Sequence, residues 1–116
     1  MPLADSFVRA GKVRDLFAVD TRRLLLVASD RLSAFDVVLP TPIPDKGKVL
    51  TGLSRFWFGQ TASIVPNHLL SVDPADLPEG WLEDGDDAYD LRGRMMLCRR
   101  VDVLPAEIIV RGYLSG

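Results

Sequence analysis

SFVRAGKVRDLFAVDTRRLLLVAS, residues 6–29, is the stretch on which the fold class turns. Phe7 and Val8 precede Gly11, and Val13, Leu16, Phe17 and Val19 follow it, which is the pattern of two short strands around a tight turn. Asp20 and Thr21 break the chain again before RRLLLVAS, whose unbroken apolar centre suits a third strand buried on both faces. Three strands in so short a span predict an antiparallel meander.

Downstream, VVLPTPIPDKG (37–47) places prolines at 40, 42 and 44, each of which fixes φ and removes a ladder donor, so the segment reads as extended but not as a central strand. KVLTGLSRFWFGQTASIV (48–65) is the best helix candidate. Val49, Leu50, Leu53, Phe56, Trp57 and Ile64 recur at helical spacing, Gly52 and Gly59 each weaken the helix by about 1 kcal/mol relative to alanine, and Pro66 ends it. Residues 71–93 mix acidic side chains with Pro74, Pro78, Gly80, Gly85 and Gly93 and read as a long solvated connection. RMMLCRRVDVL (94–104) and AEIIVRGYL (106–114) then predict two further strands around Pro105. The order predicts one α+β domain, an antiparallel sheet with one main helix.

The totals exclude several classes. A chain of 116 residues with 47% hydrophobic content can build one real core, and a net charge of −2 marks neither a nucleic-acid binder nor a disordered tail. Charge is unevenly distributed, however. Eight acidic residues and no Lys or Arg lie between Asp73 and Asp90, so the remainder holds 14 basic against 8 acidic residues, a balance of +6 suited to anions. The acidic run matches no calcium-loop spacing and reads as solvated surface. The single cysteine, Cys98, forbids an internal disulfide and, within MMLC, reads as a small buried residue. No leader-like segment opens the chain, and no apolar run nears the roughly 20 residues a membrane-spanning helix needs, so the expectation is a cytoplasmic protein.

Four places can carry chemistry. In AGKVRD, Gly11 lets backbone approach a ligand, and Lys12 and Arg14, two apart, would share a strand face that suits polyphosphate; an ordinary hairpin with solvated charges explains the spacing equally. SDRLSAFD (29–36) offers the hydroxyls of Ser29 and Ser33, the carboxylates of Asp30 and Asp36, the Arg31 guanidinium and Phe35 as an anchor, a set fit for a hydroxylated, charged molecule or for an Asx-type turn or helix cap. In IIVRGYLSG, Arg111 beside β-branched residues calls for an anion, either Glu107, Asp36 or a ligand phosphate. His68, the sole histidine, reads as structural.

Taken together, GKVRDLF (11–17), SDRLSAFDVVLPTPIPDKGKVLTGLSRFWF (29–58) and LPAEIIVRGYLSG (104–116) resemble the SAICAR synthetase family in order and spacing over nearly the whole chain. The resemblance implies an N-terminal sheet-and-helix lobe like the small lobe of kinases. It implies an ATP-dependent C–N ligase of purine biosynthesis that joins L-aspartate to the carboxylate of an imidazole ribonucleotide, with Mg2+ beside ATP. Carried over by position, Gly11, Lys12, Val13 and Arg14 correspond to the turn at the ATP phosphates, and Arg99, Arg100, Val101 and Asp102 to the connection past the adenine. Ser33 and Asp36 correspond to the loop at the imidazole nucleotide and aspartate, Arg111 to the signature arginine there, and Lys46 and Gly47 to a loop near the same cleft. No catalytic residue or metal ligand is assigned. The implied partners are these small molecules, with neither nucleic acid nor membrane, and a homo-oligomer is allowed for.

VRGYLSG follows strand-like sequence directly, and the family's next serine and its Asp-x-Lys-x-Glu-Phe-Gly segment are not in the sequence. The expectation is therefore that residues 1–116 form the N-terminal ATP- and substrate-binding lobe of a longer chain, inactive alone. A noncatalytic nucleotide-binding module is the competing expectation, since it would use the same hairpin without the 29–36 loop or Arg111.

Overall fold

The computed structural model describes residues 7–34, 37–78 and 91–113. Strands β1 (Phe7–Ala10), β2 (Arg14–Ala18) and β3 (Arg23–Ala28) pair in succession, all antiparallel, as the opening stretch predicts. Two local devices close the turns. The Gly11 N–H donates to the Arg14 carbonyl at 2.6 Å, and a Cβ at Gly11 would sit 3.1 Å from that same oxygen. At the second turn the Asp20 carboxylate accepts from the Arg22 and Arg23 N–H groups at 2.8 Å each, an Asx turn that Arg23 Nε joins at 2.9 Å. The Arg22 N–H, then the Arg23 side chain, hold the Asp20 carboxyl below the usual carboxylate range.

After β3 the chain makes a two-residue ladder of β4 (Ser33–Ala34) with β5 (Val37–Val38), then helix α1 (Lys46–Thr61), then β6 (Leu69–Ser71) and β7 (Met95–Arg99). The last two complete a five-stranded sheet ordered β1-β2-β3-β7-β6. Neither β6 nor the β4–β5 ladder is foreshadowed by the sequence patterns. β6 is three residues long and β4 and β5 two each, too short for a period-2 signal.

Leu25, Met95 and Leu97 form one face of the core with Leu77 and Leu91, with Phe17, Val19 and Val27 packed against it. Leu25 opposes Leu97 across the β3–β7 ladder, so the two strands bring one set of apolar side chains to the same side. The strand buried along nearly its whole length is β7, from Met95 to Cys98; in β3 only Leu25 and Ala28 are fully buried. That corrects the expectation for RRLLLVAS: β3 lies mid-sheet between β2 and β7, yet only two of its residues are fully buried. Cys98 is buried as expected, and desolvation pushes its thiol up to about 11.

Two further expectations fail. The segment 106–113 forms no strand, and Ile108, Ile109, Val110 and Tyr113 are exposed. A strand needs a partner ladder, and this segment pairs with none of the described strands. The apolar stripe of α1 also points away from the sheet: Val49, Leu53, Phe56 and Trp57 are each more than half exposed, while Gly47 and Thr51 are the buried residues. Ile64 lies beyond the helix end and is exposed as well. The cause is a clamp on the helix start.

Candidate functional site

Ser29, Asp30 and Arg31 follow β3 directly, and each reaches a different element. Ser29 binds the glycine turn: its N–H and its hydroxyl both donate to the Val13 carbonyl at 2.8 Å. Arg31 reaches the same turn from further along, its guanidinium donating to the Lys12 and Gly11 carbonyls at 3.3 Å each and pairing with Asp15 at 2.8 Å. Three carbonyls of the Gly11–Val13 turn are thereby directed at the 29–31 loop and satisfied there.

Asp30 faces the other way, toward the start of α1. Its carboxylate accepts from the Gly47 N–H at 2.9 Å and the Asp45 N–H at 3.2 Å, and Arg94 grips both oxygens, Nη2 at 2.9 Å from Oδ2 and Nη1 on Oδ1. Asp45, at the position before the helix, has φ 65° and supplies no side-chain cap. Asp30 thus caps α1 from 17 residues away, with its negative charge at the positive end of the helix. The Arg94 hydrogen bonds above all, and the Gly47 and Asp45 N–H groups after them, hold the Asp30 carboxyl far below the usual carboxylate range against the opposing effect of burial.

This clamp sets the rotation of the helix. A Cβ at Gly47 would run into the Ala28 carbonyl and the Arg94 guanidinium, so only glycine lets α1 approach β3 this closely. One turn on, the Thr51 hydroxyl donates to the Arg94 carbonyl at 3.0 Å. With Gly47 and Thr51 pinned on that side, the residues at 49, 53, 56 and 57 must face outward.

The anticipated site residues divide into groups. Gly11, Lys12 and Val13 form the turn and Arg14 opens β2, so Lys12 lies in the turn and the two-apart strand spacing does not apply to it. Ser33 stands half-buried in β4, its hydroxyl without a hydrogen bond among the described residues, while Asp36 and Phe35 lie outside those residues. Lys46 Nζ donates to the Arg31 carbonyl at 3.0 Å, which binds the DKG loop to the 29–31 loop. Gly47 is buried with its N–H given to Asp30, so it contributes close approach and no free donor. Hydrogen bonds therefore join the turn, the loop and the helix start into one wall.

Arg99 closes β7, its N–H donating to the His68 carbonyl at 2.8 Å, and the Arg100 N–H donates to the Arg22 carbonyl at 2.6 Å. Val101 and Asp102 continue exposed past the sheet. Arg111 is exposed in the non-strand segment and makes no ion pair with Glu107. His68 is structural, edge-on to Phe58 with ring centroids 5.8 Å apart. Among the described residues no group of three or more His, Cys, Asp or Glu could hold a metal ion, and no helix is long and apolar enough to cross a membrane.

The cap expected as one alternative for the 29–36 loop is met by Asp30 at the start of α1, whereas two participants escaped sequence reasoning: Arg94 as the partner of Asp30 and Asp15 as the anchor of Arg31. Asp30 and Arg94 are 64 residues apart, beyond any local pattern. A signal did exist, since each is a charge abutting the end of a buried strand, where an unpaired charge is costly.

The family model for SAICAR synthetase matches residues 7–116. A phosphoribosylaminoimidazole-succinocarboxamide synthase of Halorhodospira halophila is 54% identical over 111 residues, 94% of this chain and 35% of its own length. That of an Azoarcus species is 46% identical over 121 residues, 99% of this chain and 37% of its own. Among solved structures, SAICAR synthase from Saccharomyces cerevisiae complexed with SAICAR superposes with a TM-score of 0.85 at 42% identity, covering 95% of this chain and 38% of that one. The chain thus spans little more than a third of the relatives it matches. A five-stranded antiparallel sheet, a clamped helix and a family match over nearly every residue make this chain a member of the SAICAR synthetase family.

Proposed function

We propose that residues 1–116 are the N-terminal ATP- and substrate-binding lobe of a cytoplasmic ATP-dependent ligase that joins L-aspartate to an imidazole ribonucleotide carboxylate in purine biosynthesis. The observation that carries this reading is the wall itself: the glycine turn, the 29–34 loop and the start of α1 are fixed to one another by Ser29, Asp30, Arg31 and Lys46. A synthetase that couples ATP to amide formation must hold a polyphosphate and an acceptor carboxylate at fixed separation, and a wall of this kind supplies that.

The chemistry explains the residue types. A carboxylate is a poor acyl donor because oxide leaves badly; transfer of the γ-phosphoryl group to it gives an acyl phosphate, which the aspartate amine attacks, expelling phosphate. Anionic charge therefore accumulates around the site and must be met by cations. Lys12 and Arg14 take the ATP phosphates, helped by turn carbonyls that Ser29 and Arg31 already engage, so that no bare carbonyl dipole faces the phosphate. The Arg99 and Arg100 N–H groups are taken by His68 and Arg22, which leaves the backbone of Val101 and Asp102 to meet the adenine. Ser33, Asp36, Lys46 and Arg111 receive the imidazole nucleotide and L-aspartate, with Arg111, unpaired with Glu107, meeting the nucleotide phosphate. Gly47 acts by letting α1 sit close enough to bring Lys46 to the loop. The described residues offer no acidic cluster for Mg2+, so no ligand to it is assigned.

The test is product formation by the chain extended to the length of its relatives. It converts the imidazole carboxylate, L-aspartate and ATP to the succinocarboxamide, and Arg111→Ala loses most activity while remaining folded. Full activity in that variant removes Arg111 from the site. Titration with the imidazole nucleotide separates this reading from a plain ATP-binding module, which ignores that ligand.

A further inference from the structure

On the flank of α1, a cavity of about 480 Å³ opens between the helix, the turn that follows β6 and the residues that lead into β7. It shares no lining residue with the glycine turn or the 29–34 loop. Three of its lining residues are cations, Lys48, Arg55 and Arg92, against a single carboxylate, Asp73. That carboxylate is committed locally, since it accepts the Ala75 N–H at 2.9 Å and caps the short turn Pro74–Asp76. Lys48 approaches Asp45 at 3.6 Å, but Arg55 and Arg92 have neither ion pair nor hydrogen bond among the described residues.

We infer that this cavity is a second anion site, built for pyrophosphate or a small phosphate monoester. Like charges converging on one concave volume repel until a counter-ion sits between them, and two guanidinium groups are suited to the paired oxygens of a phosphate. The volume lies within the range of small-molecule sites, roughly 300–1,000 Å³. Two glycines keep it open. A Cβ on Gly52 would meet nothing within 4 Å, and Gly93, at φ 80°, turns the chain so that Arg92 and Arg94 diverge, Arg94 toward Asp30.

Gly52 also gives the test its control. A methionine there fills the cavity while raising helix propensity, so loss of binding in Gly52→Met is not a folding defect. Calorimetric titration of the 116-residue chain with pyrophosphate at low ionic strength should show a site, apart from any at the glycine turn, that Gly52→Met abolishes, that Arg55→Ala and Arg92→Ala each weaken about tenfold, and that Lys12→Ala leaves in place. Circular dichroism of Gly52→Met should show helix content no lower than that of the parent. No binding by the parent overturns the inference, as does affinity unchanged by the Gly52, Arg55 and Arg92 substitutions. Binding lost in Lys12→Ala instead assigns the ion to the glycine turn and overturns it as well.

Discussion

The two ends of α1's environment are built on opposite principles. Where the helix begins, nearly every polar group is spoken for: Asp30 caps it, Arg94 holds Asp30, Gly47 admits it and Thr51 ties it down. Along its outer side and over residues 101–113, large apolar side chains meet solvent, among them Trp57, Val103 and Val110. The clamped region is complete within this chain. Large contiguous apolar surfaces are often interaction sites, and this chain spans little more than a third of its relatives' length. The contrast teaches that a hydrophobic stripe reports which face will be buried somewhere, whereas the polar clamp decides which face is buried here.

Hydrogen exchange breaks or confirms this contrast with the largest signal. The N–H groups of Gly47, Ala28 and the β7 ladder should exchange orders of magnitude more slowly than those of Ile108 to Arg111, which lie outside any ladder. Comparable rates in the two regions would dissolve the distinction. Next in size, Leu25→Ala should cost about 2–5 kcal/mol in denaturant unfolding, because Leu25 is wholly buried at the β3–β7 contact.

The clamp itself comes third. Arg94→Met leaves Asp30 capping the helix without its cation and should cost about 2 kcal/mol, less than for a wholly buried pair because about a fifth of each side chain meets solvent. Adding Asp30→Asn should recover part of that loss, since the amide cannot be left charged. Acid provides a parallel reading. Asp30 is ionised in the fold well below its unfolded value of about 3.9, so its stabilisation is complete above that value and drains away as pH falls below it toward the folded value. Unfolding curves of the parent should therefore lose stability below about pH 4, and those of Asp30→Asn should lose less. Identical acid limbs would remove Asp30 from the clamp.

The smallest effect belongs to the uncovered face. Trp57→Ser should change the stability of this chain by no more than about 0.5 kcal/mol, because more than half of the indole is already in water. The same substitution in a chain of the relatives' length should cost several times more if that face is covered there.

Much of this was legible in the residues, for reasons that also explain what was not. Gly11 between apolar pairs gives the first hairpin, and LLLVA gives β3, because turns and strand periods are local. The helix is legible to within two residues at its start and four at its end. Its orientation is not, because the capping carboxylate comes from residue 30 and the arginine that steadies it from residue 94. The sequence AEIIVRGY (106–113) has strand composition without a strand, since propensity supplies no partner. In SDRLSAFD, composition shows a loop rich in donors and acceptors but cannot divide those that hold the fold from those that face a ligand. The geometry commits Ser29, Asp30 and Arg31 to the fold.

The most direct measurement is steady-state formation of the succinocarboxamide by the chain at its relatives' length, comparing the parent with Lys12→Ala and Ser33→Ala. The proposed wall predicts product from the parent, a raised KM for ATP in Lys12→Ala and a raised KM for the imidazole nucleotide in Ser33→Ala. Absence of product from a folded parent, or two variants with parental constants for both substrates, would contradict it.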